Sequence, residues 1–173
     1  MPLLKKWIGK VFGFEAEINL LRMQVDELSR DPVFGIWTRN AFLHFCQVMP
    51  RSLRVVTFLD LDNLHKLNEE YGYDEINRRI KTLFSIPFRR SDVVARWFSG
   101  DEIVILFDAD QDFALRKIAQ LEEEARLQGM SFHYQIGIWD VGKDPIEKVV
   151  NELADQVMAQ KAWTKQQLAQ KSR

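Results

Sequence analysis

The stretch from Ser91 to Asp108 constrains this chain more than any other. Two apolar runs, Val93 to Phe98 and Ile103 to Phe107, flank Ser99-Gly100-Asp101-Glu102. Short runs rich in Val, Ile and Phe on both sides of a Gly-containing break read as a β-hairpin. Adjacent acids at the tip of a buried hairpin are costly unless something binds them, and a metal cation or a partner ligand are the natural candidates.

The segments around the hairpin carry alternating element signals. Leu53 to Leu59 is rich in β-branched residues and nearly continuous in apolar character, as expected of a strand covered on both faces, and it ends at Asp60-Leu61-Asp62. A helix with Leu64, Leu67 and Tyr71 on one face follows and stops at Gly72. A second helix carries Ile76, Ile80 and Leu83. After the hairpin, Ala114, Ile118, Leu121 and Ala125 share a helix face, with Gly129 as the C-terminal stop. Ser131 to Trp139 alternates as a strand, where packing explains His133 and Trp139. Asp144-Pro145 opens a last helix with Ile146, Val149, Val150, Leu153 and Val157 inward, and its polar tail beyond Trp163 is expected to fray. The order β-α-α-β-β-α-β-α predicts an α/β fold with a central sheet flanked by helices. Upstream, Asp31-Pro32 breaks the chain and Thr38 caps a short helix carrying Phe42, Phe45 and Cys46, which Pro50 ends. Cys46 and His44 read as core and surface fillers.

Before that break, Leu4, Trp7, Val11, Phe14, Ile18, Leu21, Val25 and Leu28 are spaced 3,4,3,4,3,4,3. A sustained heptad seam of this kind predicts a coiled-coil homodimer through residues 1–30, although Gly9 and Gly13 weaken its first half. A single amphipathic helix packed on its own domain is one alternative. A membrane-surface helix, from Lys5, Lys6 and Lys10 beside Trp7 and Phe12, is another.

Length and charge narrow the function classes. A chain of 173 residues suits one domain, here residues 31–173, with an appendage. Net charge is −1, so no overall basic field points to nucleic acid as a partner. The single cysteine rules out an intrachain disulfide and fits a reducing compartment. No apolar run reaches bilayer-spanning length, so a cytoplasmic location without membrane association is expected.

Three carboxylates stand out. Asp60 ends the first strand with Asp62 close behind, and Asp101 caps the hairpin, so Asp60 and Asp101 are expected at one sheet edge. Two hard oxygen donors there suit Mg²⁺, which keeps waters and borrows phosphate oxygens. On spacing alone, solvated turn acids explain the same residues.

At these positions the chain resembles the GGDEF domain, the family of diguanylate cyclases. Ser99-Gly100-Asp101-Glu102-Ile103 stands where the family has Gly-Gly-Asp/Glu-Glu-Phe. Asp31-Pro-Val-Phe-Gly-Ile-Trp-Thr-Arg39 is similar to its entry motif, Asp-x-Leu-Thr-Gly-Leu-x-Asn-Arg. Asp60-Leu-Asp-Asn-Leu-His-Lys-Leu-Asn68, with Tyr71-Gly72, resembles Asp-x-Asp-x-Phe-Lys-x-x-Asn-Asp-x-x-Gly-His. Arg89-Arg-Ser-Asp92 resembles the Arg-x-x-Asp product-inhibition site, and Tyr134-Gln-Ile-Gly137 the late Ser-x-Gly strand. The resemblance implies a nucleotidyl-cyclase-like, palm-type sheet behind a coiled-coil-like helix. It implies that Asp60, the Leu61 carbonyl and Asp101 bind Mg²⁺ (or Mn²⁺), with Asp101 and Glu102 catalytic. Asn68 and Asn77 would meet guanine, Ser99 and Gly100 the phosphates, and Arg89 and Asp92 the product. Two protomers, each holding one GTP, would then make cyclic di-GMP and pyrophosphate.

Departures accompany the match. Asn77 replaces a usual Asp, which bears on base choice and affinity. Trp97-Phe98 stands for a single residue, and an extra residue within a strand flips every side chain unless a bulge absorbs it. Ala162 and Gln166 fall where a Lys and an Arg normally grip phosphates, with Lys161 and Lys165 one position earlier. A degenerate GGDEF domain that binds GTP or cyclic di-GMP without turnover, and a cyclase of altered base specificity, are therefore the alternatives.

Overall fold

The computed structural model describes residues 2–98 and 100–171, with side chains for 14–98, 100–167 and 170. The chain divides into two compact units between Arg30 and Asp31. The first is one helix, α1 (Pro2–Ser29). Of the seam residues with described side chains, Phe14, Ile18, Leu21, Val25 and Leu28 are all exposed, from 37% to 82%. Leu4, Trp7 and Val11 lie outside the described side chains.

The second unit runs α2 (Arg39–Gln47), β1 (Leu53–Leu61), α3 (Leu64–Tyr71), α4 (Tyr73–Leu83), β2 (Val93–Arg96), β3 (Glu102–Phe107), α5 (Gln111–Leu127), β4 (Phe132–Asp140) and α6 (Ile146–Lys171). The four strands form one sheet in the order β2-β3-β1-β4, with every neighbouring pair antiparallel. Alternation along the strands divides the core in two. Val55, Leu59, Leu61, Ile103, Ile105 and Phe107 pack against Ile76, Ile80 and Leu83 of α4 and Ala114, Ile118 and Leu121 of α5. Val56, Phe58, Val104 and Leu106 face Phe42 and Cys46 of α2 and Ile146, Val150, Leu153 and Val157 of α6. Cover on both faces explains the nearly unbroken apolar run in β1, even though the sheet is antiparallel.

Local chemistry sets the element ends. The Thr38 hydroxyl accepts from Ala41 N at 3.3 Å and caps α2, which ends at Gln47, before Pro50. Asp110 caps α5 by accepting from Phe113 N at 2.8 Å. Gly72 adopts φ +83°, a left-handed conformation that lets α3 and α4 meet at one residue. The short edge strand β2 is covered by Trp37, whose N–H donates to Val94 O and whose carbonyl accepts from Arg96 N, each at 2.9 Å. This blunts the edge against further pairing. Contrary to the expectation of fraying after Trp163, α6 continues to Lys171. The residues there include Gln, Lys and Ala, all good helix formers, with no Gly or Pro to stop the helix. Among the described residues no helix is long and apolar enough to cross a membrane.

Candidate functional site

Two strands, β1 and β3, deliver the acidic residues to one end of the sheet. Asp60 on β1 lies directly opposite Glu102 on β3. Pairing runs one step further, because Leu61 N donates to Asp101 O at 2.9 Å. Asp101 is thereby held against the end of β1. On the other side, Asp62 N donates to Ser131 O at 2.8 Å, just before β4 begins.

Strand alternation turns Asp60 toward the face covered by α6, where it is only 7% exposed. From α6, the Lys161 ammonium donates to Asp60 Oδ1, lies 3.1 Å from Asp62 Oδ1 and reaches the Leu61 carbonyl at 3.4 Å. Asp62 is locked in turn by Ser131 Oγ, which donates to its Oδ2 at 3.0 Å, and by His133 Nδ1 at 2.8 Å from Oδ1. These contacts decide the two acids differently. Burial pushes the Asp60 pKa up; the Lys161 contact offsets this in part, while the charges of Asp101 and Asp62 add to it. Burial also acts to raise Asp62, but hydrogen bonds with His133, Lys161 and Ser131 outweigh it and hold this carboxyl below the usual range.

The donor set suits a hard cation. Carboxylate and carbonyl oxygens converge on a point that a positive charge already occupies. Among the described residues, no cluster of three or more His, Cys, Asp or Glu side chains is arranged to hold a metal. An ion held by Asp60, Leu61 O and Asp101 would therefore complete its shell with water and phosphate oxygens, as Mg²⁺ commonly does.

The base-recognition candidates sit on the helices that follow β1. Asn68 lies on α3, and its buried Oδ1 has no hydrogen-bond partner. A buried carbonyl oxygen left this way costs about 1–3 kcal/mol and fits a group meant to meet a ligand. Asn77 is half-buried on α4.

At the hairpin tip the extra residue is placed where it does no damage to the ladder. Val93 to Arg96 pairs without interruption with Leu106 to Ile103, and Trp97 N continues the pattern by donating to Glu102 O at 2.8 Å. Phe98 is the first residue outside it, so no bulge is needed. Trp97 is buried at 3%, whereas Phe98 is 65% exposed. The Arg39 guanidinium stacks on both rings, 4.6 Å from Trp97 and 4.5 Å from Phe98. Gly100 lies close under Arg96, whose Nη2 would stand 3.1 Å from any added Cβ. Ser99 lies outside the described residues.

The remaining candidates have visible structural duties. Asp31 accepts from Val33 N at 3.0 Å and Phe34 N at 2.8 Å, and from Arg96 Nη1 at 2.9 Å, tying the entry turn to β2. Asp92 accepts from the backbone N–H of Arg89 and of Asp108, both at 3.0 Å. Arg89 stacks 3.7 Å from the Phe113 ring centroid. Asp92 therefore organises the loop, while Arg89 lies across α5. Lys165 is exposed one turn beyond Lys161 on α6.

His133, Ser131 and Arg39 carry weight at this end of the sheet that sequence reasoning assigned to none of them. His133 does more than pack within its strand, since it fixes Asp62. The available signal was strand polarity: His133 lies opposite Asp60 in the β1–β4 register.

Comparison with known proteins gives this geometry a context. The chain is 32% identical over 123 residues to "Cyclic di-GMP phosphodiesterase NbdA" of Pseudomonas aeruginosa, covering 61% of this chain and 16% of that protein. It is 30% identical over 127 residues to "Probable diguanylate cyclase DgcT" of Escherichia coli K12, covering 68% of this chain and 28% of that protein. It thus spans less than a third of either relative. In fold, it resembles the crystal structure of the diguanylate cyclase SiaD from Pseudomonas aeruginosa, with a TM-score of 0.73 at 19% identity over 92% of this chain and 68% of that one. It also resembles the coiled coil and GGDEF domain of DgcB from Caulobacter crescentus, with a TM-score of 0.72 at 14% identity over 94% of this chain and 95% of that one. The family model for the diguanylate cyclase GGDEF domain matches residues 30–167, and the chain therefore belongs to the GGDEF-domain family.

Proposed function

We propose that this chain condenses two GTP molecules into cyclic di-GMP with release of pyrophosphate. The observation that carries this reading is the meeting of the Asp60 carboxylate and the Leu61 carbonyl around the Lys161 ammonium, at the end of β1 where the Asp101 backbone pairs with Leu61 and the Asp101 charge acts on Asp60. Asp60, Leu61 O and Asp101 would hold Mg²⁺ or Mn²⁺, which when bound neutralises charge on the triphosphate and polarises its phosphorus centre. Glu102, opposite Asp60 in the β1–β3 register, would sit beside both metal and nucleotide. Asn68 offers its buried carbonyl oxygen to the donors of a guanine edge, and Asn77 on α4 is the second base contact. Ser99 and Gly100 admit the phosphates, with Lys161 and Lys165 supplying positive charge from α6.

The reaction needs two protomers. The 3′-hydroxyl of one GTP gives up its proton to solvent as its oxygen bonds to the α-phosphorus of the other, the bond from that phosphorus to the α–β bridging oxygen breaks, and pyrophosphate leaves carrying the electron pair. A second, reciprocal attack closes the ring. The exposed seam of α1, Phe14-Ile18-Leu21-Val25-Leu28, is a suitable surface for pairing with a second copy, and pairing raises the effective concentration of facing sites.

Purified protein with Mg²⁺ and each nucleoside triphosphate, its products resolved by mass, tests the reading. Cyclic di-GMP from GTP is expected, at a rate per subunit that rises with protein concentration. Asp101→Ala and EDTA should each abolish it, and turnover that survives Asp101→Ala refutes the metal assignment.

One observation favours a second reading, a domain that binds GTP or cyclic di-GMP without turnover. The hairpin tip is longer by Phe98, which is held on the Arg39 guanidinium beside the loop that must approach the triphosphate. Nucleotide binding without product at any protein concentration selects that reading. Product from a different triphosphate would instead assign altered base choice to Asn77.

A further inference from the structure

We infer that Lys161 is a built-in competitor for the cation site, and that a divalent metal enters by displacing its ammonium from Asp60, Leu61 and Asp62. The inference rests on the metal assignment proposed above and adds a control step to it.

The geometry leaves little room for sharing. The Lys161 ammonium donates to Asp60 Oδ1 and reaches the Leu61 carbonyl at 3.4 Å, which are two of the three proposed metal ligands. A metal takes oxygens at about 2.0–2.1 Å and would face this ammonium across one shared carboxylate, with like charges in a poorly solvated place. Asp60 is 7% exposed, so solvent screens that repulsion weakly. The lysine is also held by a group outside the metal trio. Asp62 Oδ1 lies 3.1 Å from its nitrogen, and Asp62 is fixed by Ser131 and His133. The base of the side chain is anchored, because Val150, Leu153 and Val157 bury the preceding turns of α6 in the core. Only the flexible four-carbon stem can move.

Displacement then depends on what arrives with the metal. A bare divalent ion must expel the ammonium with no compensation for it. A metal–triphosphate complex brings negative oxygens that can receive the ammonium, so metal and nucleotide binding become coupled through Lys161. The residue thus opposes the metal alone and favours the metal with its nucleotide.

The test is Mn²⁺ affinity of EDTA-stripped full-length protein, read by electron paramagnetic resonance without nucleotide. Lys161→Met should tighten Mn²⁺ binding about tenfold or more. Lys161→Arg, which keeps the charge, should not tighten it, and Lys165→Met, which removes an equal charge one turn away, should change it less than about threefold. A non-hydrolysable GTP analogue should raise Mn²⁺ affinity by a larger factor in the wild type than in Lys161→Met. Circular dichroism confirms folding, and Lys161→Gln replaces Lys161→Met if the latter does not fold. Unchanged or weaker Mn²⁺ binding by the neutral variant overturns the inference, and does so without touching the proposed function if the wild type makes cyclic di-GMP. Absence of Mn²⁺ binding in both proteins overturns the inference together with the metal assignment.

Discussion

Gly137 on β4 offers a quantitative test of how α6 is seated on the sheet. A Cβ added there would stand 3.1 Å from Leu153 Cδ2, with Cδ1 at 3.6 Å and Cγ at 3.7 Å. Comfortable carbon–carbon contact lies at about 3.5–4.0 Å, so Gly137→Ala must move one Leu153 methyl by about half an ångström. Leu153 is 5% exposed within the core shared by Val56, Phe58 and Val157, which gives it little room to yield. Overpacking of this kind costs about 1–3 kcal/mol, and replacing a strand glycine returns about 0.5–1 kcal/mol of backbone entropy. A net loss of about 1 kcal/mol is expected, which at a urea slope of about 2 kcal/mol/M lowers the midpoint by about 0.5 M. Leu153→Ala alone should cost about 2–4 kcal/mol. In that background the three crowding carbons are gone, and Gly137→Ala should become neutral or stabilising by about 0.5 kcal/mol. The double-mutant cycle therefore predicts a coupling of about 1–2 kcal/mol. If Gly137→Ala costs the same in both backgrounds, close approach of helix to strand is not why glycine stands there.

Three further outcomes follow from named contacts. Asp31→Ala strands two backbone donors and removes the carboxylate that pairs with Arg96 Nη1, and should lower unfolding stability by about 2–4 kcal/mol in urea, with Asp31→Asn intermediate. Burial, aided by the negative charge of Glu147, pushes the Cys46 thiol up to about 12. At pH 8 roughly one thiol in ten thousand is then ionised, so a maleimide should label the unfolded protein rapidly and the native protein barely at all. Prompt native labelling would contradict the burial. Arg89→Ala should weaken inhibition by added cyclic di-GMP while costing under about 1 kcal/mol, because the Arg89 side chain stacks on Phe113 and donates only one exposed hydrogen bond, to Asp108 O at 3.3 Å. Asp92→Ala should weaken inhibition and also cost about 1–2 kcal/mol, since it releases the N–H groups of Arg89 and Asp108. Equal stability loss in the two variants would refute this division of labour.

Much of the fold was legible because local patterns declare themselves. The β-branched run before Asp60, the helix faces of Ile76-Ile80-Leu83 and Ala114-Ile118-Leu121, and the Thr38 cap all match the elements observed. The hairpin was legible too, but not the fate of its extra residue. A bulge and a longer tip read alike in sequence, and only the unbroken register from Val93 to Trp97 separates them.

The candidate site divides the same way. Sequence alone determined that Asp60 would end a strand, that Asp101 would cap a hairpin and that Lys161 would ride on the last helix, because hydrophobic period and turn chemistry act between near neighbours. It did not determine that Lys161 would reach Asp60, 101 residues away, or that His133 would hold Asp62 across 71 residues. Those meetings depend on how α6 and β4 seat against β1, and so on the packing of Gly137 and Leu153 and on strand register. No local pattern encodes that relative placement. It emerges only when the whole core is buried at once, and it puts a lysine among the oxygens that sequence had reserved for a metal.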